Sequence, residues 1–177
     1  MRSFPTTRQR TQIVKSLHDL DTTTRSSQLM RSDLQRVLLS DDSLGGLLRA
    51  HLEDAKTVVE TLSKGKLWKE FALRDVDFQH LNEYRELDDD VHQDELIFYS
   101  LDRATLERIK SQIGIRRVAR DERYPGLIFL VGANVQGNTY GYIYNPGTAM
   151  LPEVSPREFI VLKPVANGWW LYKRVEG

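Results

Sequence analysis

Apolar residues in the first half of the chain recur at steps of three and four. Ile13, Val14, Leu17 and Leu20 share one helical face, which predicts a first helix over about 8–20. Asp21 and three threonines end it. Ser26 or Ser27 offers a cap for a second helix that turns Leu29, Met30, Leu34, Val37 and Leu38 inward. The strongest pattern comes next. Leu44, Leu47, Leu48, Leu52, Ala55, Val58, Val59 and Leu62 predict one long third helix, with capping residues at 40–43 and Gly65 beyond its end. Leu67, Trp68, Phe71 and Leu73 continue an apolar pattern, and a shorter helix from Asp77 would turn Phe78, Leu81 and Tyr84 inward. Isolated helices cannot hide such stripes, so these must pack on each other or on a sheet.

The stretch 86–95 is the sharpest change in composition and reads as a solvated acidic linker. Residues 96–101 suggest a short strand. Asp102 then caps a helix with Leu106, Ile109 and Ile113 inward, closed by Gly114. From Ile115 the apolar step changes to two, predicting strands at 115–120, 127–132, 139–144, 158–164 and 169–175. Tyr-Pro-Gly at 124–126, Asn-Pro-Gly at 145–147, Pro152, Pro156 and Asn167-Gly168 supply the turns. Connectors this short force neighbouring strands antiparallel. The all-apolar run 127–131 belongs in mid-sheet, and Pro164 belongs at a strand end or an edge. The expected fold is α+β: a helical N-terminal half packed with a C-terminal, mostly antiparallel sheet of about four to six strands. The organisation read from the pattern is a helical region 1–87, an acidic linker 88–95, and an α+β domain with an antiparallel meander over 96–177.

Composition narrows the chemistry. Lys plus Arg and Asp plus Glu each number 25 in 177 residues, so no net field draws the chain to nucleic acid or an anionic membrane. The absence of cysteine excludes disulfides, Cys-ligated metals and a cysteine nucleophile. No apolar run is long enough for a membrane span. Arg2, Arg8, Arg10 and Lys15 lead in without an acid, as in some transit peptides, but helical spacing follows at once, so this reads as a basic start to the first helix. A cytoplasmic location is the expectation, with no cofactor and no membrane or nucleic-acid partner.

Five constellations are candidates for function. Gly132-Ala-Asn-Val-Gln-Gly137-Asn138-Thr139 has the glycine spacing of a phosphate-binding loop. However, Asn138 stands where the lysine would be, and a strand follows instead of a helix, so a hairpin loop is the reading adopted. Asp88, Asp89, Asp90, His92, Asp94 and Glu95 form a cluster of hard ligands. Asp88, Asp90, His92 and Asp94 would be the metal ligands if any are, and a metal-assisted hydrolase or nuclease is the alternative function they define. His80 and Glu83 would share a helix face, as metal-binding pairs on bundles do, while His18 and His51 read as half-buried helical residues. Arg116, Arg117, Arg120 and Arg123 make a basic stretch that Asp121 and Glu122 interrupt, so strand-surface arginine is preferred to nucleic-acid binding.

The aromatic set is the strongest of these. Tyr140, Tyr142 and Tyr144 fall on one face of one strand, and Trp169, Trp170 and Tyr172 follow in the last. Such side chains dominate binding hot spots, and they also serve ordinary cross-strand packing. They are the candidate recognition surface, for a protein partner or a second copy of the chain. The segments Gly141-Tyr-Ile-Tyr-Asn-Pro-Gly, Ser155-Pro-Arg-Glu-Phe-Ile-Val and Asn167-Gly-Trp-Trp-Leu-Tyr-Lys resemble the C-terminal meander of small uncharacterised bacterial proteins, some of them encoded near toxins or effectors. That resemblance covers the last forty residues and implies an α+β fold and no activity. No string joins a nucleophile to a base, so the functional expectation is a non-enzymatic protein-interaction module of a bacterial cytosolic protein, of accessory or immunity type.

Overall fold

The computed structural model describes residues 5–20, 23–65, 68–73, 97–98 and 100–175. The first helix, α1, spans Thr7–Asp19 and starts with reciprocal caps: the Thr6 hydroxyl accepts from Gln9 N–H at 3.3 Å, and the Gln9 side chain accepts from Thr6 N–H at 2.9 Å. Helix α2 (Arg25–Val37) is capped by Thr24, two residues before Ser26 and three before Ser27, with Ser27 N–H donating to its hydroxyl at 3.1 Å. The long third helix is two. Helix α3 (Asp41–Ala50) and helix α4 (Leu52–Leu62) meet at His51, whose φ of −124° and ψ of 28° leave the helical region. Apolar spacing survives a single non-helical residue, so the pattern cannot reveal such a break.

Strand β1 (Glu70–Ala72) is short and was not separable from the preceding apolar run. The strand expected over 96–101 is not extended where it is described: 97–98 are helical and 100–101 a turn and a bend, with Ser100 N–H donating to Ile97 O and Leu101 N–H to Phe98 O. Helix α5 (Arg103–Arg108) is capped by Asp102 and runs into a π-helical turn, Ile109–Ile113, which Gly114 closes at φ 82°. Strands β2 (Ile115–Ala119), β3 (Ile128–Val135), β4 (Asn138–Tyr144), β5 (Phe159–Ala166) and β6 (Trp169–Val175) follow within two residues of the expected positions, apart from β3, which runs three residues further. The helix expected from Asp77 and the acidic stretch 88–95 lie outside the described residues.

The six strands form one antiparallel sheet in the order β1-β2-β3-β4-β6-β5, so the fold is α+β as the spacing predicts. The apolar run on β3 sits inside the sheet. Pro164 is on edge strand β5, where Lys163 and two register shifts also discourage pairing with another chain. Residues 132–139 form the hairpin that joins β3 to β4. Gln136 and Gly137 take φ of 53° and 76°, the left-handed pair that a two-residue turn needs, so no helix N-terminus is present to hold a phosphate.

Alternation divides the sheet. Val118, Ile128, Leu130, Tyr140, Tyr142, Trp169 and Leu171 face the helices and share one core with Ile13, Leu34, Val37, Leu44, Leu48 and the α4 stripe. Leu127, Phe129, Val131, Ile143, Phe159 and Tyr172 form a smaller cluster on the other face. No helix covers that second cluster among the described residues. The loops at 120–127 and 145–158 do part of that job, through Tyr124, Ala149 and Leu151. No helix among the described residues is long and apolar enough to cross a membrane.

Candidate functional site

The six aromatic candidates separate between the two faces. Tyr140 and Tyr142 are fully buried beneath the helices. The Tyr140 hydroxyl donates to the Ile113 carbonyl at 2.9 Å, and the Tyr142 hydroxyl donates to the Leu44 carbonyl at 2.7 Å. Burial pushes both phenols well above their ordinary pKa, because the phenolate would lose its water. Trp169 is buried on the same face, its ring 4.9 Å from half-buried Tyr144. Burial therefore corrects the tyrosine surface: Tyr140 and Tyr142 are core residues whose polar tips fasten helices to the sheet, and Tyr144 packs with Trp169. Parity along the strand was right, but helices cover the side it chose. Trp170 and Tyr172 point the other way. Tyr172 is buried edge-on against Phe129 and Phe159, at 5.8 and 5.7 Å between ring centres.

The outer face carries a cleft of about 440 Å³ that sequence reasoning missed. Its floor is Phe129, Val131 and Tyr172, and its walls come from the β1 side of the sheet, the loop after β2, and β6. Gly141 shapes it. A Cβ there would collide with the Leu130 carbonyl oxygen and lie 2.6 Å from the Tyr172 hydroxyl, so only glycine lets the Tyr172 ring lie across β4.

Charges ring the cleft in pairs. Lys69 meets Glu122 at 2.7 Å, Arg117 meets Glu70 at 3.1 Å, and Arg123 holds Asp121 at 2.6 Å and Glu158 at 2.8 Å. The hydrogen bond from Arg123 holds the Asp121 carboxyl below its ordinary range, against burial, with the Arg174 charge helping. Glu122 is lowered by its hydrogen bond from Lys69. The basic stretch is thus largely committed within the chain: Arg116 pairs with Asp33 at 2.5 Å, and Arg120 stacks 4.1 Å over Trp68 while donating to the Gly65 carbonyl. Two polar atoms at the cleft differ from the rest. Buried Thr139 Oγ1 and Arg174 Nε have no hydrogen-bond partner among the described residues.

The other candidates contribute no site. Asp88, Asp89, Asp90, His92, Asp94 and Glu95, with His80 and Glu83, lie outside the described residues. Among the described residues no group of three or more His, Asp or Glu is placed to hold a metal ion. His18 is exposed beside Asp19, and His51 stands at the α3–α4 break, 3.7 Å from an Asp54 carboxylate that already binds Arg108 at 2.7 and 2.8 Å. No protein-family model, no curated protein and no solved structure matches this chain, so the site has to be read from its own chemistry.

The signal for the outer cleft was present but mute. Thr139, Gly141 and Ile143 alternate with the tyrosines, and Trp170, Tyr172 and Arg174 alternate with Trp169, Leu171 and Lys173. Which parity stays open depends on where the helices pack.

Proposed function

We propose that this protein is a non-enzymatic interaction module that receives a protein partner on the outer face of its sheet, over the cleft floored by Phe129, Val131 and Tyr172. One observation carries the reading. Among the described residues helices cover one face of the sheet, whereas on the other face loops and paired charged side chains cover the apolar cluster and leave a cleft with a charged rim above a buried apolar floor. The rim sharpens it: Lys69, Arg117, Arg120, Arg123 and Arg174 line the cleft against Glu70, Asp121 and Glu122, an excess of two positive charges that favours an acidic partner surface. An accessory or immunity-type role in a bacterial cell accords with the resemblance of the last forty residues to small proteins encoded near toxins or effectors.

The test uses the full chain with a photo-reactive amino acid at rim residue Lys69 and, as control, at Lys56 on the exposed side of α4. A discrete adduct from position 69 in cells is expected. It should be weakened by Arg117→Glu, and should re-form with the captured protein once that is purified. Adducts equally abundant at positions 69 and 56, or none at 69, would sink the proposal. An adduct with a second copy of the chain replaces the foreign partner by self-association.

A further inference from the structure

A second pocket, of about 350 Å³, opens where α2 meets α5, the π-helical turn and the first residues of β2. Gln28, Ser32 and Arg36 enter it at steps of four along one face of α2, Lys110 and Ser111 from the π-helical turn, and Arg116 from β2. Three local departures from regular structure meet here. The π-helical turn presents the Ser111 carbonyl to Arg36, whose Nη2 donates to it. Gly114 leaves room for the same side chain, because a Cβ there would lie 2.6 Å from Arg36 Cδ. The β2–β3 register shifts between Ile115 and Arg117, so Arg116 is the extra residue of a bulge. Such turns and bulges interrupt regular hydrogen bonding, and they recur where a fold re-aims a side chain for use.

The side chains so aimed are two guanidiniums that share one acid. Arg116 donates to Asp33 from Nη2 at 2.5 Å and from Nε at 3.3 Å, and Arg36 Nη1 lies 3.5 Å from the same carboxylate. Asp33 stands behind the pocket and is no part of its lining, so it holds two cations side by side and balances only one. Lys110 and Glu107, 3.3 Å apart, add one charge of each sign. Arg36, Lys110 and Arg116 against Asp33 and Glu107 thus leave one surplus positive charge among the described residues. The site is open. The Arg36 and Arg116 side chains are 13% and 25% exposed. Arg116 Nη1 and the Ser32 hydroxyl have no hydrogen-bond partner among the described residues, and neither is among the side-chain atoms sealed from solvent.

These donors call for an oxyanion. A carboxylate presents two oxygens in one plane, whereas a phosphate group presents three acceptor oxygens in different directions. Donors arriving from a helix, a π-helical turn and a strand match the second arrangement. The volume lies at the lower end of the roughly 300–1,000 Å³ of small-molecule sites, and half-exposed Leu29 in the lining offers an apolar contact to the rest of such a ligand.

We propose that this pocket binds the phosphate group of a small phosphomonoester. Arg36, Arg116 Nη1 and the Ser32 hydroxyl donate to its oxygens, and Asp33 is the positioning residue that keeps the two guanidiniums together. The site is separate from the outer cleft: Arg116 serves the pocket, and its neighbour Arg117 serves the cleft rim.

The experiment titrates the intact protein with ribose 5-phosphate, inorganic phosphate, ribose and acetate at matched ionic strength, following backbone amide signals by NMR. Saturable shifts at residues 32, 36, 110, 111 and 116 are expected with ribose 5-phosphate, with a Kd of roughly 1 mM or tighter. Inorganic phosphate should bind the same residues more weakly, and ribose and acetate should leave them unmoved. Arg116→Gln should weaken ribose 5-phosphate about tenfold or more. That variant also loosens the tie to Asp33, so Ser32→Glu supplies an independent check. It sets a carboxylate one turn before Arg36, a pairing that favours the helix, so the melting temperature should hold while binding is lost. Acetate shifts equal to those of phosphate, shifts that never saturate, or undiminished binding by folded Ser32→Glu would overturn the proposal. Equal affinity for ribose 5-phosphate and inorganic phosphate would overturn the ester and leave free phosphate as the ligand.

Discussion

The two faces of this sheet are built from the same strands and differ in what closes them. The inner face is covered by the helices, α2, α3 and the π-helical turn after α5 lying against the strands, and three of its polar side chains end on them: two tyrosine hydroxyls on helix carbonyls, and Lys173 on Asp41. On the outer face loops and charged side chains cover a smaller apolar cluster, its charges meet at the rim, and two of its buried polar atoms have no hydrogen-bond partner among the described residues. A surface finished in this way serves stability. One left unfinished is available for binding, since binding groups are those the fold has not consumed.

The largest effects should come from the inner face. Tyr142→Ala removes a fully buried ring together with its bond to Leu44, and a loss of about 3–5 kcal/mol in urea unfolding is expected. Trp170→Ala on the outer face should cost about 1–2 kcal/mol, because that ring is only half-buried. Equal losses would erase the contrast between the faces. Tyr140→Phe should cost about 1–3 kcal/mol, since Ile113 is the last residue of its helical turn and its carbonyl would lose its hydroxyl partner in a buried place.

Titration should separate the faces by sign. The inner tyrosines have raised folded pKa values, so their contribution is fully present below the unfolded phenol value near 10 and is lost as pH rises above it. Asp121 on the outer rim has a lowered folded pKa, so its contribution is present above the unfolded carboxyl value near 4 and is lost as pH falls through the folded one. Melting curves from pH 2 to 12 should therefore show two separate limbs. The double variant Tyr140→Phe/Tyr142→Phe should flatten the alkaline limb, and Asp121→Asn the acid one. The smallest effect should be at the rim. Arg117→Ala breaks an exposed pair with Glu70 and should change stability by about 0–1 kcal/mol, while weakening capture of the partner at position 69.

Much of the fold was legible in the residues. The change from steps of three and four to steps of two located the helices and five strands, the Asp102 cap and Gly114 bounded α5 and its π-helical turn, and Pro164 marked the edge strand. The misses were of three kinds, the first being Leu29 and Met30, which were expected inward and are 43% and 57% exposed. The break at His51 and the helical turn near Ile97 are local geometries that leave apolar spacing intact. Strand β1 is three residues long, too short to establish a period. The site was less legible. The aromatic residues were found and Thr139 and Arg174 were not, because large rings advertise themselves whereas a threonine and an arginine on a strand look like ordinary surface.

What the amino-acid order determined by itself is parity: which residues of β4 and β6 share a side, with Tyr140, Tyr142 and Tyr144 together and Thr139, Gly141 and Ile143 opposite. What only the tertiary structure decided is which side the helices take, and so which set becomes core and which lines a cleft. The reason is that β4 and β6 are neighbours in space but separated in sequence by β5, so the opposition of Thr139 and Arg174, and the passage of Tyr172 over Gly141, exist only once the sheet is assembled.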